Sequence, residues 1–137
     1  MCASFRRASR ALTQLYENEL RPLGLRATQF TVLQALALAG EVTQGELGQV
    51  LAMDSTTLTR TLAIMARRGW VTKRYGKDKR ERHLRLTRAG QDQLSRATSE
   101  WEKLQARLRR HLGNDRWQEL LNLTDQVTTL VMKGDVS

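Results

Sequence analysis

The stretch Arg67-Arg68-Gly69-Trp70-Val71-Thr72-Lys73-Arg74-Tyr75-Gly76-Lys77-Asp78-Lys79-Arg80-Glu81-Arg82-His83-Leu84-Arg85-Leu86-Thr87-Arg88 reads as a charged hairpin. Trp70 to Arg74 and His83 to Leu86 each alternate apolar with polar or charged residues, the period of a half-buried strand, and Gly76 to Arg82 makes the connecting loop. Ten Lys/Arg against two acids give the stretch +8 of the chain's formal +9, so the rest of the chain is close to neutral. Charge packed this tightly repels itself unless a polyanion is present to take it, and nucleic acid is the first partner implied. A charge run is ordinarily a solvated face or a disordered tail. Here Trp70, Val71, Leu84 and Leu86 interrupt it at strand spacing, which argues for order.

The segment before the hairpin is helical and has two faces. Leu58, Leu62, Ala63, Met65 and Ala66 form an apolar stripe that Gly69 ends, with Ser55 expected as the N-cap after a break at Ala52-Met53-Asp54. Thr56, Thr57, Arg60, Thr61 and Arg67 form the opposite face, which is polar, basic and begins with short side chains. Upstream, Thr43-Gln44-Gly45-Glu46 fits a capping box, in which the threonine hydroxyl accepts from the Glu46 N–H and the carboxylate reaches back to the threonine N–H. It starts a short helix with Leu47, Val50 and Leu51 expected inward. Before that, Phe30, Leu33, Leu36 and Ala37 mark a helix with Thr28 expected as N-cap and Gly40 just past its end.

The outer segments are also helical. Phe5, Ala8, Leu12, Leu15 and Tyr16 recur at helical spacing until Pro22 and Gly24 close the segment. Beyond the hairpin, Thr87 or its neighbours open a long helix with Leu94, Ala97, Trp101, Leu104, Leu108 and Leu112 in register. Gly113-Asn114-Asp115 breaks and recaps it, and a last helix carries Trp117, Leu120, Leu121, Thr124, Val127 and Val131.

Composition narrows the function classes. At 137 residues with 40% apolar content the chain supplies one core, with room for an oligomerisation element, and only 5% of residues are aromatic, which argues against platforms for stacking single-stranded bases. The single cysteine, Cys2, excludes an internal disulfide framework and fits a reducing compartment. The longest apolar run, Ala35 to Ala39, is too short to span a bilayer, and Arg6 and Arg7 follow Met1 to Phe5 with no apolar region behind them. A cytoplasmic protein without membrane partners is expected. No catalytic set is visible. An enzyme acting on nucleic acid needs clustered carboxylates, whereas Asp78 and Glu81 are the only acids in the basic stretch, each among cations. His83 in the hairpin and His111 near a helix C-terminus stand at no metal-ligand spacing, so no metal and no cofactor are expected. His111 suits the negative end of the helix dipole, and His83 is expected to face solvent or phosphate. Trp101 and Trp117 read as packing residues, with the lining of a pocket for an aromatic effector as the alternative, and Trp70 is expected beneath the hairpin.

Taken in order, helix, short capped helix, tight turn, polar-faced helix and basic hairpin make a winged helix-turn-helix. The expected fold is mainly α with a small β-hairpin wing. In that arrangement Ser55 to Arg68 lies in the major groove of double-stranded DNA. Ser55, Thr56 and Thr57 come close to base edges, and Arg60 pairs with guanine O6 and N7. Lys73, Arg74, Lys77, Lys79, Arg80 and Arg82 meet phosphates, and a basic tip enters a narrow minor groove. A non-specific architectural DNA-binding protein would share the charge and is the competing reading.

These motifs resemble the MarR regulators, named for multiple antibiotic resistance. The family's stretch Leu-Thr-x-x-Gln-Phe-x-x-Leu stands here as Leu25-Arg26-Ala27-Thr28-Gln29-Phe30-Thr31-Val32-Leu33, with Arg26 in place of a capping Thr or Ser. Glu46-Leu47, Ser55-Thr56-Thr57-Leu58-Thr59-Arg60, Gly69-Trp70-Val71, Asp78-Lys79-Arg80 and Leu86-Thr87-Arg88-Ala89-Gly90 match in order. The resemblance implies a homodimer with interlocked N- and C-terminal helices, two winged domains reading a pseudo-palindromic operator, and most often a repressor released by a small ligand, phenolic or anionic. It places residues 1–137 in a single domain, with about 28–88 reading DNA and about 1–24 and 89–137 dimerising through Phe5, Leu12, Trp101, Leu108, Leu112, Trp117, Leu121 and Val127. It gives Arg80 to the minor groove and makes Asp78 the brace of the wing. Peroxide sensors in the family use a first-helix cysteine. The corresponding redox candidate is Cys2, with Arg6 and Arg7 near it, although an unengaged terminal thiol is the plain reading.

Overall fold

The computed structural model describes residues 1–78 and 80–136. In chain order it contains α1 (Cys2–Leu20), a 3-10 turn (Arg21–Leu23), α2 (Ala27–Ala39), β1 (Val42–Thr43), α3 (Gln44–Leu51), α4 (Ser55–Arg67), β2 (Val71–Tyr75), β3 (Arg82–Leu86), α5 (Arg88–Leu112) and α6 (Asn114–Lys133). This is a winged helix-turn-helix flanked by helices. The chain divides into two compact units, Met1–Trp101 and Glu102–Ser137.

The core of the first unit forms around α2, which is apolar on nearly every side and buries Phe30, Val32, Leu33 and Leu36. A helix with this composition is stable only when surrounded. Leu20 of α1, Leu47 of α3, the stripe Leu58, Leu62 and Met65 of α4, and Leu84 of β3 close over it. Fully burying one such side chain stabilises by about 1.5–3 kcal/mol, so these positions dominate the energetics of the unit. Val50, expected inward, is instead 73% exposed. In the eight-residue α3 it lies three positions past the buried Leu47, and the inward place goes to the half-buried Leu51.

Two helix caps differ from the sequence reading. Arg26, not Thr28, occupies the N-cap of α2. A guanidinium has no lone pair to offer the free N–H groups of a first turn, and two other residues supply acceptors. Gln29 Oε1 accepts from the Arg26 N–H at 3.0 Å, and Glu17 Oε1 reaches over from α1 to accept from the Ala27 N–H at 3.0 Å. The Arg26 Nε also lies 3.6 Å from that carboxylate, so the residue that cannot cap pairs with the one that does. In α4 the cap is Asp54 rather than Ser55, which becomes the first helical residue. Asp54 completes the helix-turn-helix turn, in which Ala52 takes the left-handed conformation at φ 51° and Met53 donates to the Gly48 carbonyl at 3.0 Å. The Thr43–Glu46 capping box forms as read, with both hydrogen bonds at 3.2 Å.

The sheet has three antiparallel strands in the order β1-β3-β2. β2 and β3 are the expected hairpin, in register Val71↔Leu86 and Lys73↔Leu84. β1, absent from the sequence reading, pairs Val42 with Leu84 and Thr43 with His83, tying the hairpin to the start of α3.

The hairpin is also fixed at its base. The Trp70 N–H donates to the Met65 carbonyl of α4 at 3.0 Å, and the Thr87 N–H donates to the Trp70 carbonyl at 3.0 Å. The Thr87 hydroxyl donates to the Gly69 carbonyl and accepts from the Gly90 N–H at 3.0 Å, capping α5 in the same contact. A Cβ at Gly90 would stand 2.2 Å from the Trp70 carbonyl oxygen. Backbone cannot yield as a flexible side chain can, so the first turn of α5 packs here only because residue 90 has no side chain. Gly90→Ala is expected to destabilise by about 1–3 kcal/mol through overpacking. Urea unfolding checks this, and a change under about 0.5 kcal/mol, the range of an ordinary surface substitution, would show that the contact relaxes freely.

Candidate nucleic-acid interface

α4 presents its polar side to solvent because the opposite side is fully used in the core. Ser55, Thr56, Thr57 and Arg60 are all exposed, while Thr61 is half-buried. Arg60 forms no hydrogen bond or ion pair among the described residues. Asp54 grips the first turn through two oxygens. Oδ1 accepts from the Thr57 N–H at 2.8 Å and Oδ2 from the Thr57 hydroxyl at 2.7 Å. These hydrogen bonds, the backbone one first, hold the Asp54 carboxyl below its ordinary value of 3.8. A carboxylate stabilised in the folded state contributes its cap fully above that value and loses it as pH falls below. The recognition-helix candidate is also braced laterally, since Gln44 of α3 donates to the Thr59 hydroxyl at 2.8 Å.

The basic residues of the hairpin fall into two sets. Lys77, Arg80 and Arg82 are exposed and form no ion pair among the described residues, and Lys73 is half-buried. Lys79, expected to meet phosphate, lies outside the described residues. Within the loop, Asp78 Oδ1 accepts from the Arg80 N–H at 3.0 Å, the Asp78 carbonyl accepts from the Glu81 N–H at 3.0 Å, and the Gly76 N–H donates to the Glu81 carbonyl at 3.0 Å. An aspartate that turns its own backbone in this way sets the direction in which Arg80 leaves the loop. Arg74 belongs to the other set, because its guanidinium lies 2.6 Å from Glu41 at the end of α2.

Glu41 and His83 are what the sequence reading missed. His83 faces neither open solvent nor a free phosphate position. It is cross-strand from Arg74, its Nδ1 is 3.5 Å from Glu41 and its Nε2 is 3.4 Å from Glu81. The two carboxylates sit on opposite ring nitrogens, so they cannot converge on a metal. Their effect is mechanical: Glu41 links the body of the fold to both strands of the wing, and Glu81 links the loop to β3. Nothing in the charge pattern of residues 67–88 points to an acid at position 41.

The remaining sequence-derived positions are spread along the chain. Phe5 and Leu12 of α1 are each 42% exposed. Trp101 places its ring against Phe30 at 6.0 Å and its indole N–H donates to the Tyr16 hydroxyl, whose burial raises its pKa. Trp70 is buried, with the Arg68 guanidinium 4.3 Å above its ring. In the second unit Leu108, Trp117 and Val127 are half-buried, Leu112 and Leu121 are exposed, and no residue of α6 is fully buried. Cys2 is exposed in the first turn of α1. No helix among the described residues is long and apolar enough to cross a membrane.

Glu41 gives the geometry a direct test. Glu41→Ala is expected to speed amide hydrogen exchange across β2 and β3 relative to α4. Global stability should change by no more than about 1 kcal/mol, because exposed ion pairs contribute little. Exchange rates unchanged in both strands would mean that the pairing of β1 with β3 and the bonds at Trp70 and Thr87 root the wing without Glu41.

A model described as the MarR family matches residues 23–81. An uncharacterised helix-turn-helix transcriptional regulator of Bacillus subtilis, YwoH, is 36% identical over 81 residues, so the match spans only 59% of that relative's length and 59% of this chain. The multiple antibiotic resistance protein MarR of Escherichia coli is 35% identical over 120 residues, covering 85% of this chain and 76% of that protein. Among solved structures, the transcriptional regulator MosR of M. tuberculosis in complex with DNA superposes with a TM-score of 0.81 at 35% identity, covering 93% of this chain and 96% of that one. The chain belongs to the MarR family.

Proposed function

We propose that this chain is a sequence-specific, DNA-binding transcription regulator that acts as a homodimeric repressor on a pseudo-palindromic operator. The observation that carries the reading is the pairing of two differently built surfaces. α4 offers an exposed, uncharged first turn followed by the unpaired Arg60, and the adjoining hairpin carries unpaired cations on a braced loop. Short side chains suit contact with base edges, and a separate cationic wing suits phosphates. The likeness to a regulator solved with DNA supports the same assignment.

In this reading residues 1–137 act as one regulator domain. Residues 28–88 read DNA, and 1–24 with 89–137 bring two copies together. The apolar side chains of α6 support the second part: Leu120, Leu121, Leu130 and Val131 are all exposed, and a helix of such composition is stabilised by covering that face. Phe5 and Leu12 of α1 are exposed as well. Release of the operator by a small aromatic or phenolic ligand, or by oxidation at Cys2, completes the regulatory reading.

A binding experiment separates this from a non-specific architectural role. A base-reading protein prefers its operator over random duplex by about 10³-fold or more at physiological salt. Arg60→Ala is expected to weaken operator binding by roughly tenfold while sparing random duplex; equal weakening of both would sink base readout at that position. Arg80→Ala is expected to flatten the dependence of log K on log salt by about one unit for each Arg80 engaged, and an unaltered slope would remove Arg80 from the phosphate and minor-groove account.

A further inference from the structure

Which base a threonine reads depends on whether its hydroxyl proton or its lone pairs are free, since a hydroxyl carries one donor and two acceptor sites. The threonines of α4 differ in this respect. Thr61 donates its proton to the Thr57 carbonyl at 3.0 Å, and Thr59 accepts from Gln44. The Thr56 hydroxyl has no partner among the described residues. Thr57 is the informative one. Its hydroxyl lies 2.7 Å from Asp54 Oδ2, and the other carboxylate oxygen is engaged with the Thr57 N–H. An ionised carboxylate only accepts, so the proton of this pair sits between Thr57 Oγ1 and Asp54, and only lone pairs face outward.

We propose that Asp54 is a specificity-determining positioning residue: it fixes the polarity of the Thr57 hydroxyl and makes Thr57 a reader of amino-bearing bases. In the major groove the exocyclic amino groups of adenine (N6) and cytosine (N4) are donors, whereas guanine O6 and N7 and thymine O4 are acceptors. A Thr57 whose proton is committed to Asp54 accepts from the first pair and meets the second lone pair to lone pair. Rotating the hydroxyl toward a base carbonyl would exchange a charge-assisted hydrogen bond for a neutral one roughly half as strong, so Asp54 keeps the proton. The inference rests on α4 being the base-reading helix.

Asp54→Asn isolates the effect. Asparagine caps about as well as aspartate, and its Oδ1 continues to accept from the Thr57 N–H. Its amide nitrogen replaces Oδ2 and donates to Thr57 Oγ1, which turns the hydroxyl proton outward. Wild type, Asp54→Asn and Thr57→Val are compared by binding selection from duplexes with randomised operator positions, with thermal unfolding run alongside. The expected result is one position per half-site at which wild type prefers adenine or cytosine. Asp54→Asn should shift that position alone toward guanine or thymine by roughly fivefold, and Thr57→Val should flatten it. If Thr57→Val flattens the position while Asp54→Asn preserves the wild-type preference, the polarity proposal is wrong and base reading stands. If Thr57→Val changes no position, Thr57 reads no base and the proposal falls, whereas a wild type that selects no base at any position would sink the reading of α4 beneath it. Should Asp54→Asn not fold, Asp54→Ser substitutes for it. Serine caps the backbone with a single oxygen and leaves the Thr57 hydroxyl free to rotate, so the preference should relax, and a preference retained at full strength would overturn the proposal.

Discussion

The structure depends most on one backbone junction, the carbonyls of Gly69 and Trp70 held against the first turn of α5. Thr87 donates to both, through its hydroxyl and its N–H, and caps α5 with the same hydroxyl, while Gly90 leaves space for the Trp70 carbonyl. Four elements end or begin at this point: α4 stops, β2 starts, β3 stops and α5 starts. Trp70 is buried, and its backbone groups would be orphaned if the chain turned without partners, at a cost of about 1–3 kcal/mol each. By satisfying them with one another, the fold makes the exit of the hairpin from α4 a fixed direction. A stretch with a formal charge of +8 then stays ordered although its own repulsion favours expansion.

The wing also distributes its charge unevenly. Arg74 and His83, the cross-strand pair that β1 flanks, meet Glu41, and His83 also meets Glu81. Lys77, Arg80 and Arg82 carry no ion pair among the described residues. Neutralisation near the body and free charge toward the tip is the arrangement that concentrates positive potential where a polyanion can reach it. The same contacts brace the strands, so electrostatic and mechanical roles coincide in Glu41.

Local pattern carried the sequence reading most of the way. The apolar stripe of α4, the capping box at Thr43 and the alternation of β2 and β3 are short-range signals, and each formed. The differences arose where a distant residue decides a local outcome. Thr28 looked like the cap of α2, but Glu17, on a different helix, accepts from Ala27, and no window around Arg26 contains that fact. Ser55 and Asp54 are both good caps in adjacent positions, and Asp54 prevails because its two oxygens satisfy the Thr57 N–H and hydroxyl together. β1 is two residues long and has no period to detect. At the candidate interface the exposed residues of α4 and the loop cations were legible from their spacing. Glu41 was not, because it lies 33 positions before the arginine it holds.

Under the proposed function, affinity and base choice lie on separately anchored pieces. The wing is rooted by Thr87, Trp70 and Glu41, whereas the N-terminal end of α4 is fixed by Asp54 and steadied by Gln44, at the opposite end of the helix from the wing root. In that reading, substitutions at the tip retune phosphate contacts without disturbing the first turn of α4, and changes in the first turn alter base choice without loosening the wing. The two pieces remain in register because only Arg68 and Gly69 separate the last helical residue of α4 from Trp70, whose N–H is tied back to Met65. A longer or unbonded connection would let a wing bound to phosphate slide relative to the bases. The short bonded one converts a fixed wing position into a fixed position for Thr57 and Arg60, which non-specific electrostatic attraction alone would not require.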